Sequence, residues 1–277
     1  GAIRGRDAIY IWTDTALFIM RFVGAPFVFS FQQVGTNCGL IGQNAAVEVD
    51  GAAYWMSENG FFRYSGKLES MPCLVEDYVY DDLATVPRQH IYAGLNNLFG
   101  EVTWFYPGSG AASNSRSVTY NYMDSSSERP IWTTSSLARS TWADSSIFGK
   151  PHGTEYDADA TSDSTVGNTD GVTTYFEHET GTNQIKAGAV TAIAANIQSG
   201  DFDIGNSPIP QQGDGDFIMK IRRVIPDFLT QTGDARVTLN LKNYPTDAEA
   251  SSSLGPFTTT TSTTKIDTRA RARAIAL

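Results

Sequence analysis

Apolar and polar residues alternate with period two along much of the chain, which predicts β-strands. The clearest case is AVEVDGAAYWMSENGFFRYSG, residues 46–66, in which three apolar runs are separated by Asp50-Gly51 and Asn59-Gly60. Such pairs favour tight hairpin turns because Asn, Asp and Gly accept the positive φ that these turns need. This stretch therefore predicts a three-stranded antiparallel meander.

Further strands are predicted on both sides of this meander. Before it, two apolar runs flank a turn at Thr13-Asp14, and Phe27, Phe29 and Phe31 then share one strand face. After it, the strand patterns are EVTWFYPG, SVTYNY, PIWTTSS and VTTYFEHETG. Most of the aromatic residues occupy alternating strand positions, so we expect them to fill the core.

Tryptophan-containing strands recur along the first half of the chain. The spacing is roughly 30 to 50 residues, a range typical of propeller blades. The residues are Trp12, Trp55, Trp104 and Trp132. Between the second and third of them, looser apolar spacing at residues 75–95 predicts one or two short helices.

The last hundred residues also predict antiparallel strands, in GDFIMKIRRV, ARVTLNLK and the long run FTTTTSTTKIDTRARARAIAL. In that run Arg269, Arg271 and Arg273 share one face and alanines fill the other. The three arginines are interface candidates, either for phosphate or for an acidic neighbour. The alternative is a solvated edge that blocks unwanted strand pairing.

Together these patterns predict an all-β fold of antiparallel meanders. Residues 1–180 are predicted as a propeller-like β-meander region, with a short helical insert near 75–95 and an acidic loop near 152–171. Residues 181–277 are predicted as a C-terminal antiparallel β region. The chain starts with Gly and stops within a strand pattern, so we expect either a processed chain or an incomplete one.

Composition narrows the possible functions. The 277 residues are 41% hydrophobic, enough for a sizeable core, and the net charge is −10. A general nucleic-acid binder would be basic, because Lys and Arg neutralise phosphates, so this class is disfavoured. No stretch reaches the ~18 uninterrupted apolar residues of a membrane helix, and we expect no membrane-spanning segment.

Two groups of residues could be metal ligands. The acidic loop has carboxylates at alternating positions but no Gly at the sixth position of a calcium loop, which favours a solvated loop. Its acidic residues are Glu155, Asp157, Asp159, Asp163 and Asp170. In FEHET, a strand would point Glu177 and Glu179 one way and His178 the other, so they should not converge on one metal.

Other signs of catalysis or cofactor binding are weak. The chain has no Gly-x-Ser-x-Gly elbow, phosphate-binding Gly-Lys loop or dinucleotide fingerprint. We therefore expect no cofactor and no metal, whereas a pair of carboxylates for glycoside hydrolysis stays open. Cys38 and Cys73 are expected to be buried free thiols, and a disulfide between them stays open.

The order of several stretches resembles the tail nozzle or hub proteins of short-tailed bacteriophages, also called tail stabilisation proteins, and related marine phage virion proteins. The similarity spans nearly the whole chain and depends on the order of individually weak motifs. They are IYIWTDTALFIMRF, AAVEVDGAAYWMSENGFFRYSG, EVTWFYPG with SVTYNY, YFEHETG, IQSGDFDIG, IRRVIPDF, VTLNLKNYP and KIDTRARARAIAL.

This resemblance implies that the chain is a portion of a longer virion structural protein without enzymatic activity. Its body is expected to be β-propeller-like, and typically six copies form a ring around the tail channel. Such a ring contacts the portal or adaptor and the tail fibre or tail tip proteins. It retains packaged DNA and conducts it on ejection without specific binding. An acidic channel wall would repel DNA and let it slide.

Two other functional classes stay open. A carbohydrate-binding or receptor-binding β module predicts exposed Trp or Tyr side chains that form a sugar platform. A secreted glycosidase predicts two carboxylates that converge in a cleft.

Overall fold

The computed structural model describes residues 1–145, 149–157, 172–186, 189–193, 195–204, 217–244, 247 and 252–277. The predicted all-β class is confirmed: the described strands form several antiparallel sheets, with little helix. The chain divides into two compact units, Gly1–Thr191 and Ala192–Leu277. The sequence had placed this boundary after residue 180.

The first unit begins with three four-stranded antiparallel sheets, each made of strands that are consecutive in the chain. Sheet 1 contains β1 (Ala2–Arg4), β2 (Ile9–Trp12), β3 (Ala16–Gly24) and β4 (Val28–Thr36). Sheet 2 contains β5 (Ala46–Val49), β6 (Ala52–Ser57), β7 (Gly60–Tyr64) and β8 (Leu68–Met71). Sheet 3 contains β9 (Tyr92–Asn96), β10 (Glu101–Tyr106), β11 (Arg116–Asn121) and β12 (Trp132–Ser135).

Two smaller sheets follow. Sheet 4 contains β13 (Thr141–Ala143), β14 (His152–Asp157) and β15 (Val172–Glu177), and a two-stranded sheet contains β16 (Asn183–Lys186) and β17 (Ala189–Ala192). The first six residues of the predicted acidic loop thus form β14. Residues 158–171 lie outside the described residues.

Helix occurs between sheets 2 and 3, within the stretch where the sequence predicted it. There the chain forms α1 (Glu76–Asp82) and a 3₁₀ turn (Arg88–His90). No helix in the described part of the chain is long and apolar enough to cross a membrane.

The meander predicted from residues 46–66 is confirmed as β5, β6 and β7. Asp50 and Gly51 both have positive φ, 51° and 82°, as the predicted tight turn requires. The structure adds β8 as a fourth strand, which the sequence analysis missed because its four residues are too few for a clear alternation.

Sheet 2 is buried on both faces. All six residues of β6 are buried, and alternate residues enter different clusters. Tyr54 and Met56 join a core with Phe61 and Trp104 on the side of sheet 3. Ala53 and Trp55 join a second core with residues of sheet 1, namely Tyr10, Trp12, Leu17 and Ile19. Sheets 1, 2 and 3 therefore stack face to face, with sheet 2 in the middle.

Tryptophan indoles link each sheet to the chain of the preceding one. Trp55 Nε1 donates to Cys38 O at 2.8 Å and Trp104 Nε1 donates to Ala45 O at 3.0 Å. In sheet 4, Trp142 Nε1 donates to Leu95 O of β9 at 2.8 Å. A buried indole N–H needs such a partner, so these bonds fix each sheet's position as well as filling the core.

The first strands of the four sheets lie side by side in chain order: β1 beside β5, β5 beside β9, and β9 beside β13. A parallel bridge joins Asn44 to Tyr92 at the second of these contacts. At the third, a Cβ on Gly94 would lie 2.7 Å from the Trp142 ring, so only glycine allows this approach. The same glycine weakens the strand pattern of β9, which the sequence analysis also missed.

The second unit consists of two small antiparallel sheets. One contains β18 (Phe202–Asp203), β20 (Ala235–Lys242), β21 (Ser253–Thr259) and β23 (Ala274–Ala276); the other pairs β19 (Met219–Val224) with β22 (Ile266–Ala272). Their shared core contains Met219, Leu239, Ala270, Ala272 and Ile275. The chain changes sheet at Arg273, whose N–H donates to Lys242 O at 3.0 Å.

Because of the stacking of sheets 1 to 3, the stability of the first unit should be sensitive to the loss of the Phe61 side chain. Its side chain is fully buried, 5.0 Å from Trp104 and 4.8 Å from Trp132 between ring centroids. Phe61→Ala should lower the free energy of unfolding of the first unit by about 3–5 kcal/mol. Urea unfolding followed by tryptophan fluorescence measures this, because all five tryptophans belong to the first unit.

Phe99→Ala is the matched control, because Phe99 is 51% exposed and belongs to neither buried core cluster of the first unit. Equal losses in the two variants would contradict the stacked core.

Candidate interface surfaces

The basic ribbon, defined as β19 and β22, carries the densest positive charge in the second unit. Its two strands contain five cationic residues and one carboxylate, Asp267. The cationic residues are Lys220, Arg222, Arg223, Arg269 and Arg271, and all are exposed. The buried face of β22 carries Ala270 and Ala272, so the predicted division of this strand into an arginine face and an alanine face is confirmed.

Strand pairing places like charges opposite one another in the ribbon. Lys220 is directly paired with Arg271, an arrangement that destabilises an isolated sheet. Asp267 relieves part of this repulsion: it accepts from Arg223 Nε at 2.8 Å and lies 3.2 Å from Lys265 Nζ. These hydrogen bonds lower the pKa of Asp267, so it stays ionised. The remaining cations form a surface suited to an anionic partner.

Arg273 follows β22 and is exposed like Arg269 and Arg271. The three predicted interface arginines are therefore all exposed, Arg269 and Arg271 on β22 and Arg273 where the chain leaves this strand. Their role in an interface stays a prediction.

A second surface, which we call the inner groove, lies along the first strands of sheets 1 to 4. Its central part is a groove of about 360 Å³ lined by residues in or next to β1, β5, β9 and β13, among them Asn44, Tyr92 and Asp144. Next to it, an open depression of about 460 Å³ is lined by Glu48, Asp50 and Asn97. Asp144 is held in place because its carboxylate accepts from Asn97 N and Nδ2 at 3.1 and 2.6 Å.

A buried polar cluster, the Arg139 cluster, lies in sheet 4. Arg139 is 5% exposed; its Nε donates to His178 Nε2 at 2.9 Å and its Nη1 to Glu155 Oε2 at 3.3 Å. The guanidinium also lies over the Phe176 ring, 4.1 Å from its centroid. Burial lowers the pKa of Arg139 to about 10, so it remains protonated at neutral pH.

His178 in this cluster is a neutral acceptor. Burial, and secondarily the charges of Arg139 and His152, lower its pKa to about 4. This agrees with the geometry, because Nε2 must be unprotonated to accept from Arg139. The imidazole also packs on Trp142 at 4.6 Å between ring centroids. The cluster thus pairs the buried charge of Arg139 with hydrogen-bond acceptors and holds the strands of sheet 4 together.

The FEHET residues contact different partners, but they do not follow the predicted strand alternation, because β15 ends at Glu177 and His178 and Glu179 lie beyond it. Glu177 accepts from Lys150 Nζ at 3.0 Å and from Thr180 Oγ1 at 2.8 Å, whereas His178 turns to Arg139. Glu179, with φ of 57°, accepts from Asn96 Nδ2 at 3.3 Å. Of the acidic-loop residues, Asp159, Asp163 and Asp170 lie outside the described residues. Within the described ranges, no group of three His, Cys, Asp or Glu residues could hold a metal ion.

Both cysteines are free; Cys38 is buried and Cys73 is half-buried. Burial raises the pKa of both thiols, that of Cys73 to about 12, so neither is an activated nucleophile.

The tryptophans do not form a sugar platform. Four of the five are buried and Trp142 is half-buried, so the expectation that they fill the core is confirmed. The phenylalanines of β3 and β4 differ: Phe22, Phe27, Phe29 and Phe31 are 48–80% exposed.

No protein-family model matches the chain, and no curated protein matches it in sequence.

Because His178 is neutral in the fold, the free energy of unfolding should depend on pH. Because its pKa is about 4 in the fold and ~6.5 when unfolded, the unfolded chain binds more protons between these values. Its contribution to stability is complete above pH ~6.5 and is lost as the pH falls towards 4. The loss should be on the order of 1–2 kcal/mol, since partial exposure screens the charges.

His178→Gln should flatten this part of the pH profile, measured by urea unfolding with tryptophan fluorescence at pH 4–7. His90→Gln, a change at an exposed histidine, should leave the profile as in the wild type. An unchanged slope in His178→Gln would refute the assignment.

Proposed function

We propose that this chain is a structural protein of a tailed-phage virion, located in the tail, where it forms a homo-oligomeric ring at the nozzle or hub. In this proposal the ring has typically six copies and contacts the portal or adaptor and the tail fibre or tip proteins. It extends the DNA channel, retains packaged DNA and conducts it on ejection. The chain acts without enzymatic activity, cofactor or sequence-specific DNA binding.

The observation that carries the proposal is the division of charge between the two units. The first unit has 21 acidic and 11 basic residues, so it accounts for the whole net charge of −10, whereas the second has nine of each. The second unit concentrates its cations on the basic ribbon. Two unlike, electrostatically complementary surfaces on one chain suit a head-to-tail contact between copies, and such contacts close into rings.

The arrangement of sheets 1 to 4 supports a propeller-like body. In a β-propeller, four-stranded antiparallel sheets are arranged radially around a central channel. Here successive meanders have their first strands side by side, as in such an arrangement. The described sheets do not close into a complete propeller.

The charge of the inner groove fits a path for DNA. Glu48, Asp50 and Asp144 place carboxylates along the side formed by the first strands. If this side faces the channel, DNA is repelled from the wall and slides, whereas a basic wall would hold it by phosphate contacts.

The alternative classes have less support. A carbohydrate-binding module needs an exposed aromatic platform; the tryptophans are instead occupied in the core, whereas Tyr78, Tyr175 and Tyr244 are exposed. No particular observation favours a receptor-binding module or a glycosidase.

Cryo-electron microscopy of the particle that contains this chain tests the proposal directly. The expected result is a ring of copies around a tail axis. A monomer that hydrolyses glycans, or a chain at the tip of a receptor-binding fibre, would overturn it.

The head-to-tail contact predicts the effect of charge reversal in the second unit. The triple variant Arg269→Glu, Arg271→Glu, Arg273→Glu should abolish ring assembly, because acidic side chains would then face an acidic neighbour. Replacing the same residues by Lys keeps the charge and should retain assembly, with increased sensitivity to salt. Electron microscopy and mass measurement of the assembled chain distinguish the two variants. Equal assembly of both would exclude the arginines from the ring contact.

The channel assignment predicts the effect of neutralising the inner groove. Glu48→Gln combined with Asp50→Asn should slow DNA ejection, measured in single particles by dye fluorescence. The matched control is Glu69→Gln with Asp81→Asn, which removes two exposed charges on β8 and α1. Unchanged ejection in the groove variant, or equal slowing in both, would show that the inner groove does not line the path.

A further inference from the structure

The hairpin of β3 and β4 ends in an exposed apolar arm, which we define as residues 20–33. From Arg21 to Gln33 every residue except Gly24 is exposed. Four phenylalanines in this arm, Phe22, Phe27, Phe29 and Phe31, are 73%, 80%, 48% and 65% exposed. Such a density of exposed aromatic side chains is unusual for a soluble protein surface and marks a contact site.

Strand register places most of these side chains on one face. Phe22 is paired with Phe29 and Met20 with Phe31, and paired residues share a face. The face continues across β2, where Ile9 is paired with Met20 and Ile11 with Phe18. Sheet 1 is therefore apolar on this outer face as well as on the opposite face, where Leu17 and Ile19 are buried against sheet 2.

An antiparallel sheet with one solvated face normally carries polar residues on that face. Sheet 2, which has neighbours on both sides, is apolar on both faces and buried on both. Sheet 1 has the same two-sided composition, but its outer face is uncovered in a single chain. The composition thus matches a sheet that is covered on both sides in its assembled state.

The edge strand of sheet 1, β4, is likewise uncharged and unprotected. β4 has nine residues and, among the described strands, pairs with β3 alone. From Phe22 to Val47 the sequence contains no charged residue. The last strands of sheets 2 and 3, β8 and β12, have only four residues each. Short edges and charges normally prevent strand association, and β4 has neither protection.

The size of the apolar surface fits a protein interface. With ~150–250 Å² per aromatic side chain, the exposed fractions of the four phenylalanines give on the order of 500 Å². Val23, Val28 and Ile9, which are 37–54% exposed, bring the patch close to the ~800 Å² per partner of a standard interface.

We propose that this arm packs against the same arm of a second copy of the chain, in an isologous contact about a two-fold axis. An uncharged apolar patch is self-complementary, whereas most of the surface of a chain with charge −10 would repel a second copy. A protein partner can also pair the free backbone edge of β4, which a lipid phase would leave unsatisfied. The inference does not rest on the tail-ring proposal, because it is argued from the apolar arm and the free edge of β4 alone.

The test compares the mass of the full chain with that of the variant Phe29→Asp, Phe31→Asp, by sedimentation equilibrium over about 1–100 µM, where interfaces of this size associate. Like charges then face one another across the axis, so association should weaken at least about tenfold. The wild type should have twice the mass of the variant. Leu229→Asp, at a fully exposed apolar residue of the second unit, should behave as the wild type.

Tryptophan fluorescence and urea unfolding establish that the variant remains folded, which its exposed positions predict. Equal masses of wild type and variant would overturn the proposal, as would equal dissociation by Leu229→Asp. Flotation with phosphatidylcholine vesicles tests whether the arm binds a lipid surface instead of a second copy. A wild type that stays unpaired and floats, while the variant does not, would assign the arm to lipid and overturn the contact between copies.

Discussion

The first unit depends on the burial of sheet 2 between two aromatic cores. A sheet of four short strands cannot bury enough apolar area on one face to offset the conformational entropy lost on folding. Alternation along β6 solves this by sending Tyr54 and Met56 to one side and Ala53 and Trp55 to the other. Each neighbouring sheet is thus stabilised by the same central element, and none of the three is expected to be stable alone.

This stacking also explains where the polar groups lie. A buried indole brings one N–H into the core, and the stack uses that donor to contact the connecting chain of the preceding sheet. Trp55, Trp104 and Trp142 do this in successive sheets. The tryptophan spacing seen in the sequence reflects this role only in part, since Trp12 Nε1 has no hydrogen-bond partner and Trp142 was not in the predicted series. In sheet 4, where the apolar core is smaller, the buried Arg139 and its acceptors complete the packing.

Local signals were sufficient for much of the fold. Asp-Gly and Asn-Gly turns identified the strands of sheet 2, and period-two alternation identified β10, β11, β19 and β20. The same rule gave the exposed face of Arg269 and Arg271, since Ala270 and Ala272 must then be buried. The short strands β8 and β13 and the glycine-containing β9 were missed because each contributes too few alternating residues.

Contacts between residues that are far apart in the chain could not be predicted from the sequence. Arg139 and His178 are 39 residues apart, and only the pairing of β14 with β15 brings them together. The juxtaposition of Lys220 and Arg271 likewise depends on the register of two distant strands. For the phenylalanines of the arm, alternation gave the correct face for Phe29 and Phe31 but suggested a buried core, and they are exposed.

The exposed arm and the basic ribbon have a common physical meaning. Each places groups on the surface that are unfavourable in an isolated chain: apolar rings and an unpaired edge in one case, and opposed like charges in the other. In the interior, by contrast, the buried aromatic side chains are packed together and Arg139 is paired with Glu155, although a few buried polar atoms such as Trp12 Nε1 and Tyr106 Oη have no hydrogen-bond partner. Both kinds of surface favour association with a partner, which agrees with the proposed role of the chain as an assembly subunit. The two surfaces also differ in kind, since association through the ribbon should weaken with added salt and association through the arm should not.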